Sequence, residues 1–290
     1  MSKLMHMWRV AVAVFATAGE KHLGLIAAGV AFFGMFGIFP GLAAIIAIFG
    51  LVADPAVISD QLTLMEDIIP NDAYRLLETQ ISGLVNAPAQ TLGWASALSI
   101  LVALWSCRAA VGALIGGLNA IAGQEQRNGL VQVVVALLLT VALVFLAIIA
   151  VSVVIILPIV MALLPIPTGT AWLLEGLRWL VALGVLLAGL GLLYRFGPVR
   201  EQRGRWITVG SLVVVVVWVA ASAGLSYYLS NFASYNEVYG SIGAVIGMML
   251  WLYVSAYLIL LGAALNMHVH GRKASDHQAE AEAEVMSSGA

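Results

Sequence analysis

The residues able to do chemistry in this chain are few, and most stand in apolar surroundings. Arg108 lies within LVALWSCRAAVG (101–112), with long apolar runs on both sides. A guanidinium stays charged at any physiological pH and grips carboxylates or phosphates with a planar fork of donors. A charge near the middle of a hydrocarbon layer costs at least about 2.5 kcal/mol, so something must compensate it. Two readings follow. Either the side chain snorkels to the headgroups beside Trp105, or it lines an inner cavity and holds an anionic group such as a phosphate. A second polar set, Tyr235, Asn236 and Tyr239, sits in SYYLSNFASYNEVYGSIGA (226–244). Tyrosines at that level form an interfacial belt, or, with the asparagine, supply donors and acceptors to an outer gate. A third feature is AFFGMFGIFPG (31–41). Pro40 removes a ladder hydrogen bond, and Gly37 and Gly41 add freedom, so a kink or a discontinuous helix with a hinge is expected there.

Other chemistries lack their parts. His268 and His270 are two apart, so on a helix they point nearly opposite ways and cannot share a metal. Asp276 and His277 follow at a spacing that does not make a metal-hydrolase run. Cys107 is the single cysteine, which excludes an intrachain disulfide. No Walker loop, nucleophile elbow or dinucleotide fingerprint occurs. No metal, no cofactor and no enzymatic activity are therefore expected.

The elements that must position these residues are membrane helices. Of 290 residues, 62% are hydrophobic and 10% charged, against about a quarter charged in soluble domains. The mean hydropathy is +1.02. Six stretches, near 25–52, 92–118, 130–162, 171–194, 206–230 and 241–267, are long and apolar enough to cross a bilayer, which takes about 20 helical residues. Open strand edges are forbidden in lipid and no ten-residue alternation appears, so the fold class is all-α: a polytopic membrane helix bundle. With Leu92 at the outer face, Arg108 lies about 24 Å inward at 1.5 Å per residue.

Charge sets the direction. Lys3, Arg9, Lys21, Arg127, Arg195, Arg200, Arg203, Arg205, Arg272 and Lys273 lie in alternate connections, and the opposite connections hold only Arg75 among several acids. Both termini are then cytoplasmic. Ala16-Thr17-Ala18 resembles a signal-peptidase site, but cleavage there would turn the arginine-rich loop 195–205 outward. Residues 4–20 read instead as an amphipathic helix on the inner surface. Residues 53–91 read as an outer-face helical insertion, two short amphipathic helices broken at Pro70-Asn71. Residues 1–273 make a single membrane domain, and 274–290 read as a disordered cytoplasmic tail.

Four segments, AAGVAFFGMFGIFPGL (27–42), GGLNAIAGQEQRNGL (116–130), YRFGPVREQRGRWITVGSL (194–212) and NFASYNEVYGSIGAVIGMMLWLYVSAYLILLGAALN (231–266), resemble in order those of the YihY/virulence factor BrkB family. The resemblance implies a bacterial inner-membrane protein of about six spans. Some members of that family have carried a ribonuclease label, and others are linked to serum resistance or envelope lipid export. Near the end of the last span the family commonly reads Gly-Ala-Glu-Leu-Asn, whereas this chain has Ala264 in place of the glutamate.

These features lead to an expected carrier or flippase-like transporter of an anionic amphiphile such as a lipid. Arg108 would hold the headgroup, Asn119 and Asn266 would assist, Tyr235, Asn236 and Tyr239 would line the outer path, and Gly37, Pro40 and Gly41 would act as the hinge. Membrane lipids, and proteins of envelope assembly, are the expected partners. The alternative is a non-transporting scaffold for envelope machinery. A nuclease is the remote one, and nucleic acid is not expected as a partner because topology alone accounts for the basic loop 195–205.

Overall fold

A computed structural model describes residues 2–52, 89–125, 127–163, 168–199, 206–231 and 241–288. These residues form seven helices and no strand: α1 (Ser2–Glu20), α2 (Leu23–Val52), α3 (Ala89–Ile121), α4 (Gly129–Leu163), α5 (Thr168–Phe196), α6 (Val209–Asn231) and α7 (Ser241–Ser288). The expected insertion over 53–91 lies, up to residue 88, outside the described residues.

Five helices hold a stretch long and apolar enough to cross a membrane: Ala97–Ile121, Gly129–Ala150, Gly176–Phe196, Val209–Tyr228 and Val245–Val269. A sixth candidate is a bent pair, Trp8–Glu20 with Leu23–Ile38, at 65°. The outward faces of these helices are greasy. Leu101, Leu138, Phe145, Leu180 and Val216 are all more than 60% exposed. Such surfaces are unfavourable in water and fit a lipid solvent. The fold is a polytopic membrane helix bundle.

The discontinuity of the first span lies at Lys21-His22, while α2 continues as helix through Pro40. His22 adopts a left-handed φ of 51° there, and its N–H donates to Gly19 O at 3.1 Å. A left-handed residue ends one helix and redirects the chain into the next. Gly123, at a φ of 63°, does the same after α3, where Gly bears no Cβ penalty. At the other end of the chain, α7 runs on to Ser288 through the segment read as a tail. Ala and Glu dominate that stretch, both strong helix formers, and neither Pro nor Gly interrupts it between Arg272 and Ser288.

The chain divides into two compact units, Met1–Phe32 with Arg108–Ala290, and Phe33–Cys107. In the larger unit, Leu260 of α7 is wholly buried among Leu23, Ala27, Leu114 and Leu118. Gly117 of α3 permits that packing, since an added Cβ would lie 2.7 Å from Leu260 Cδ2 and 3.2 Å from Ile26 Cγ2. A second cluster, Val111, Ile115, Ala136 and Leu139, joins α3 to α4. In the smaller unit Gly37 is buried, and a Cβ there would meet Cys107 Sγ at 2.8 Å and Ala103 O at 3.6 Å. Gly37 therefore serves close packing of α2 on α3.

Candidate functional site

The polar side chains of the larger unit gather where α3, α5, α6 and α7 carry their basic connections. The last carbonyls of a helix and its first N–H groups have no partner within the helix. Here they find partners far away in sequence. The Arg127 guanidinium donates to Phe196 O at 3.4 Å, Gly197 O at 3.3 Å and Pro198 O at 2.7 Å, closing the C-terminus of α5. A cation at a helix C-terminus is favoured by the carbonyl dipoles as well. Asn119 of α3, 1% exposed, accepts the Val199 N–H on its Oδ1 at 2.9 Å. Its Nδ2 is buried and has no hydrogen-bond partner.

The start of α6 is satisfied by a reciprocal cap. The Ser211 N–H donates to Thr208 Oγ1 at 3.1 Å, and the Thr208 N–H donates to Ser211 Oγ at 2.9 Å. This is the capping-box geometry, with serine in the position that usually holds Glu or Gln. Asn266 of α7 completes it. Its Oδ1 accepts the Gly210 N–H at 2.8 Å and its Nδ2 donates to Thr208 Oγ1 at 2.8 Å. Gly210 and Gly262 let the two backbones meet: a Cβ on Gly262 would stand 2.6 Å from the Tyr194 hydroxyl and 3.1 Å from Gly210 O. The Tyr194 hydroxyl donates to Ile259 O at 2.7 Å and ties α5 to α7. The connection between α5 and α6 is thus anchored at both ends.

Arg195 lies over the rings of Trp206, at 5.2 Å, and Phe196, at 5.7 Å, which themselves meet edge to face at 6.2 Å. On the far side of α7, Thr17 and His268 join α1 to the bundle at 2.9 Å. The Thr17 hydroxyl donates to Ala13 O at 3.0 Å, so it accepts from His268 Nε2. Ala264, one turn before His268, is wholly buried. The space that a glutamate would need at that position is closed by core packing.

Arg108 is half-buried on α3, and its Nε is shielded from the surroundings. Trp105, a turn earlier, is 63% exposed. Of the hinge residues, Gly37 is buried, Pro40 and Gly41 are half-buried, and a Cβ on Gly41 would meet nothing within 4 Å. Tyr235, Asn236 and Tyr239 lie outside the described residues. Arg108, Asn119 and Asn266 share the larger unit, and the two asparagines meet the two ends of one connection. Among the described residues no group of three or more His, Cys, Asp or Glu gathers to hold a metal ion. A small cavity of about 20 Å³ lies between Leu118, Ile121, Tyr194, Pro198, Asn266 and Met267. It holds at most a water molecule.

Sequence reasoning assigned no tertiary tie to Arg127, Tyr194, Thr208 or Ser211. The signal for the last two is ITVGSL, in which two hydroxyl residues three apart precede an apolar run, the pattern of a cap. For Arg127 and Tyr194 no local signal exists, because their partners are 65 to 71 residues away.

A family model described as virulence factor BrkB matches residues 14–287. The chain is 29% identical over 251 residues to a Bacillus subtilis protein named "Putative ribonuclease-like protein YfkH", a match covering 85% of this chain and 90% of that one. It is 31% identical over 96 residues to a UPF0761 membrane protein of Tolumonas auensis, covering 30% of this chain and 32% of the relative. A UPF0761 membrane protein of Xanthomonas campestris pv. campestris is 36% identical over 74 residues, covering 26% of this chain and 17% of its own length. No solved structure matches the chain.

Proposed function

From the premise that this chain belongs to the virulence factor BrkB family of membrane proteins, we propose that it is a carrier or flippase-like transporter of an anionic amphiphile such as a lipid. Its setting in this reading is a bacterial inner membrane, with both termini in the cytoplasm. The observation that carries the reading is Arg108, a half-buried guanidinium on an apolar span with its Nε enclosed by protein. A guanidinium is a planar fork of donors that matches a phosphate, and a lipid phosphate is the anion that a bilayer supplies.

Asn119 supports the same reading, because its buried Nδ2 offers a donor to a ligand oxygen. Asn266 spends its amide on Gly210 and Thr208, so its contribution is to hold the wall against which a headgroup would move. Tyr235, Asn236 and Tyr239 would line the outer path, and the Gly37–Gly41 segment would flex. The termini follow from the basic connections, which face the cytoplasm under the positive-inside rule.

The test is reconstitution into liposomes with a fluorescent anionic phospholipid in one leaflet. Arg108→Ala is expected to cut the rate of leaflet exchange by at least about tenfold, the loss of one charge-assisted contact worth about 1.5–3 kcal/mol. Arg108→Lys is expected to retain part of it, because the charge remains and the fork is lost. Equal rates for the wild type and Arg108→Ala would overturn the reading. The ribonuclease-like name of the Bacillus subtilis relative favours a second reading, RNA hydrolysis. Cleavage of RNA by the purified protein with Mg²⁺ or Mn²⁺ would establish it.

A further inference from the structure

A groove of about 290 Å³ opens between α6 and α7, at the ends of those helices away from Gly210 and Asn266. Its walls include Trp218, Ser222 and Tyr228 on α6 and Leu250, Trp251 and Ser255 on α7. The two indoles meet edge to face, 5.8 Å apart with 61° between the ring planes. Each spends its N–H on the opposite helix: Trp218 Nε1 donates to Ser255 Oγ at 2.9 Å, and Trp251 Nε1 to Ser222 Oγ at 3.3 Å. In each helix the Trp and the Ser stand four apart, so the antiparallel pair closes a crossed set of two bonds.

Because both indole donors are spent, an occupant meets mainly ring faces and aliphatic carbon. A polar ligand would lose its water there and recover little. An apolar one loses nothing, and apolar cavities stay dry. Both helices are membrane-crossing candidates over Val209–Tyr228 and Val245–Val269, so the groove lies at hydrocarbon depth. The surrounding solvent at that depth consists of acyl chains. Ligand pockets run from about 300 Å³ upward, so this volume suits one chain rather than a whole lipid. Gly224 lines the groove at an exposed position, and an added Cβ there would meet open space. Tyr228, 48% exposed, closes the span and stands where an interfacial tyrosine meets headgroups.

We propose that this groove is a specific seat for one acyl chain of a membrane phospholipid, with the headgroup beside Tyr228. The seat goes beyond the carrier reading and does not use Arg108.

The experiment titrates the detergent-purified full chain with a phosphatidylcholine bearing dibrominated acyl chains. Native mass spectrometry reads the one-lipid adduct, and tryptophan fluorescence reads quenching by bromine. Wild type is expected to form a saturable one-to-one adduct with matching quenching. Gly224→Phe and Ala221→Leu fill the groove and are expected to bind at least about tenfold more weakly, the effect of denying two or more methylenes their burial. Gly184→Phe, on an exposed and equally open position of α5, is expected to bind as wild type. Arg108→Ala is also expected to bind as wild type, so loss of the carrier reading leaves this one standing. The proposal is overturned if wild type forms no saturable one-to-one adduct, or if both filling variants bind as tightly as wild type.

Discussion

Two ends of one helix pair, α6 with α7, are built on opposite plans. At the Gly210 and Gly262 end the backbones are in contact, and the Asn266 amide bridges them. At the Trp218 and Trp251 end two large rings stand between the helices, and a groove remains. Both ends satisfy polar atoms across the pair, but the first does so with a glycine on each of the two facing backbones and the second by interposing bulk. Small residues permit the close approach on which interhelical hydrogen bonds in membranes depend. One end of the pair is a fastening, and the other has room to receive something.

Closing the gap at the fastened end is expected to do the most damage. Gly262→Leu pushes carbon into Val214, the Tyr194 hydroxyl and the Gly210 backbone at once. Overpacking of this kind costs about 1–3 kcal/mol or more. A drop in the thermal midpoint of the detergent-purified protein by several degrees, with loss of folded yield, is the expected result. A Gly262→Leu midpoint equal to that of wild type would remove the distinction between the ends.

Next in size is Asn266→Leu, which strands the buried Gly210 N–H and takes a partner from Thr208. Leaving a buried donor unsatisfied costs about 1–3 kcal/mol. Asn119→Leu is expected to cost less, because the wild-type Nδ2 already has no partner and only the bond from Val199 is lost. Thermal unfolding of the two variants side by side should rank them in that order, and the reverse order would show that Asn119 is the stronger tie.

The smallest effect belongs to the open end. Ser222→Ala removes the acceptor of Trp251 at 3.3 Å, a long bond worth about 0.5–1.5 kcal/mol at most. Little change in midpoint is expected, with a shift in tryptophan emission as the indole N–H loses its partner. A destabilisation as large as that of Asn266→Leu would mean that both ends fasten the pair equally.

Much of the architecture was legible in the chain before any coordinates. Helical spans near 92–118, 130–162, 171–194, 206–230 and 241–267 correspond to α3 through α7. Lipid offers the backbone no hydrogen bonds, so a long apolar run has one practical choice. The first span was harder. Pro40 led to the expectation of a kink or a discontinuous helix; α2 stays helical through it, and a separate 65° bend joins α1 to α2 at Lys21-His22. One missing ladder bond is tolerated in a membrane helix where neighbours cover the freed carbonyl. A left-handed histidine, by contrast, announces itself through no composition rule.

The candidate site divides the same way. Sequence alone determined that Arg108 sits on an apolar span and that the basic residues fall in alternate connections, because both depend only on the order of residues along the chain. Only the tertiary structure decided that Asn119 meets Val199, Asn266 meets Gly210, and Arg127 meets Pro198, across separations of 80, 56 and 71 residues. A side-chain amide or guanidinium has no preferred partner encoded beside it. Its hydrogen bonds go to whichever orphan helix ends the packing of small residues brings within about 3 Å.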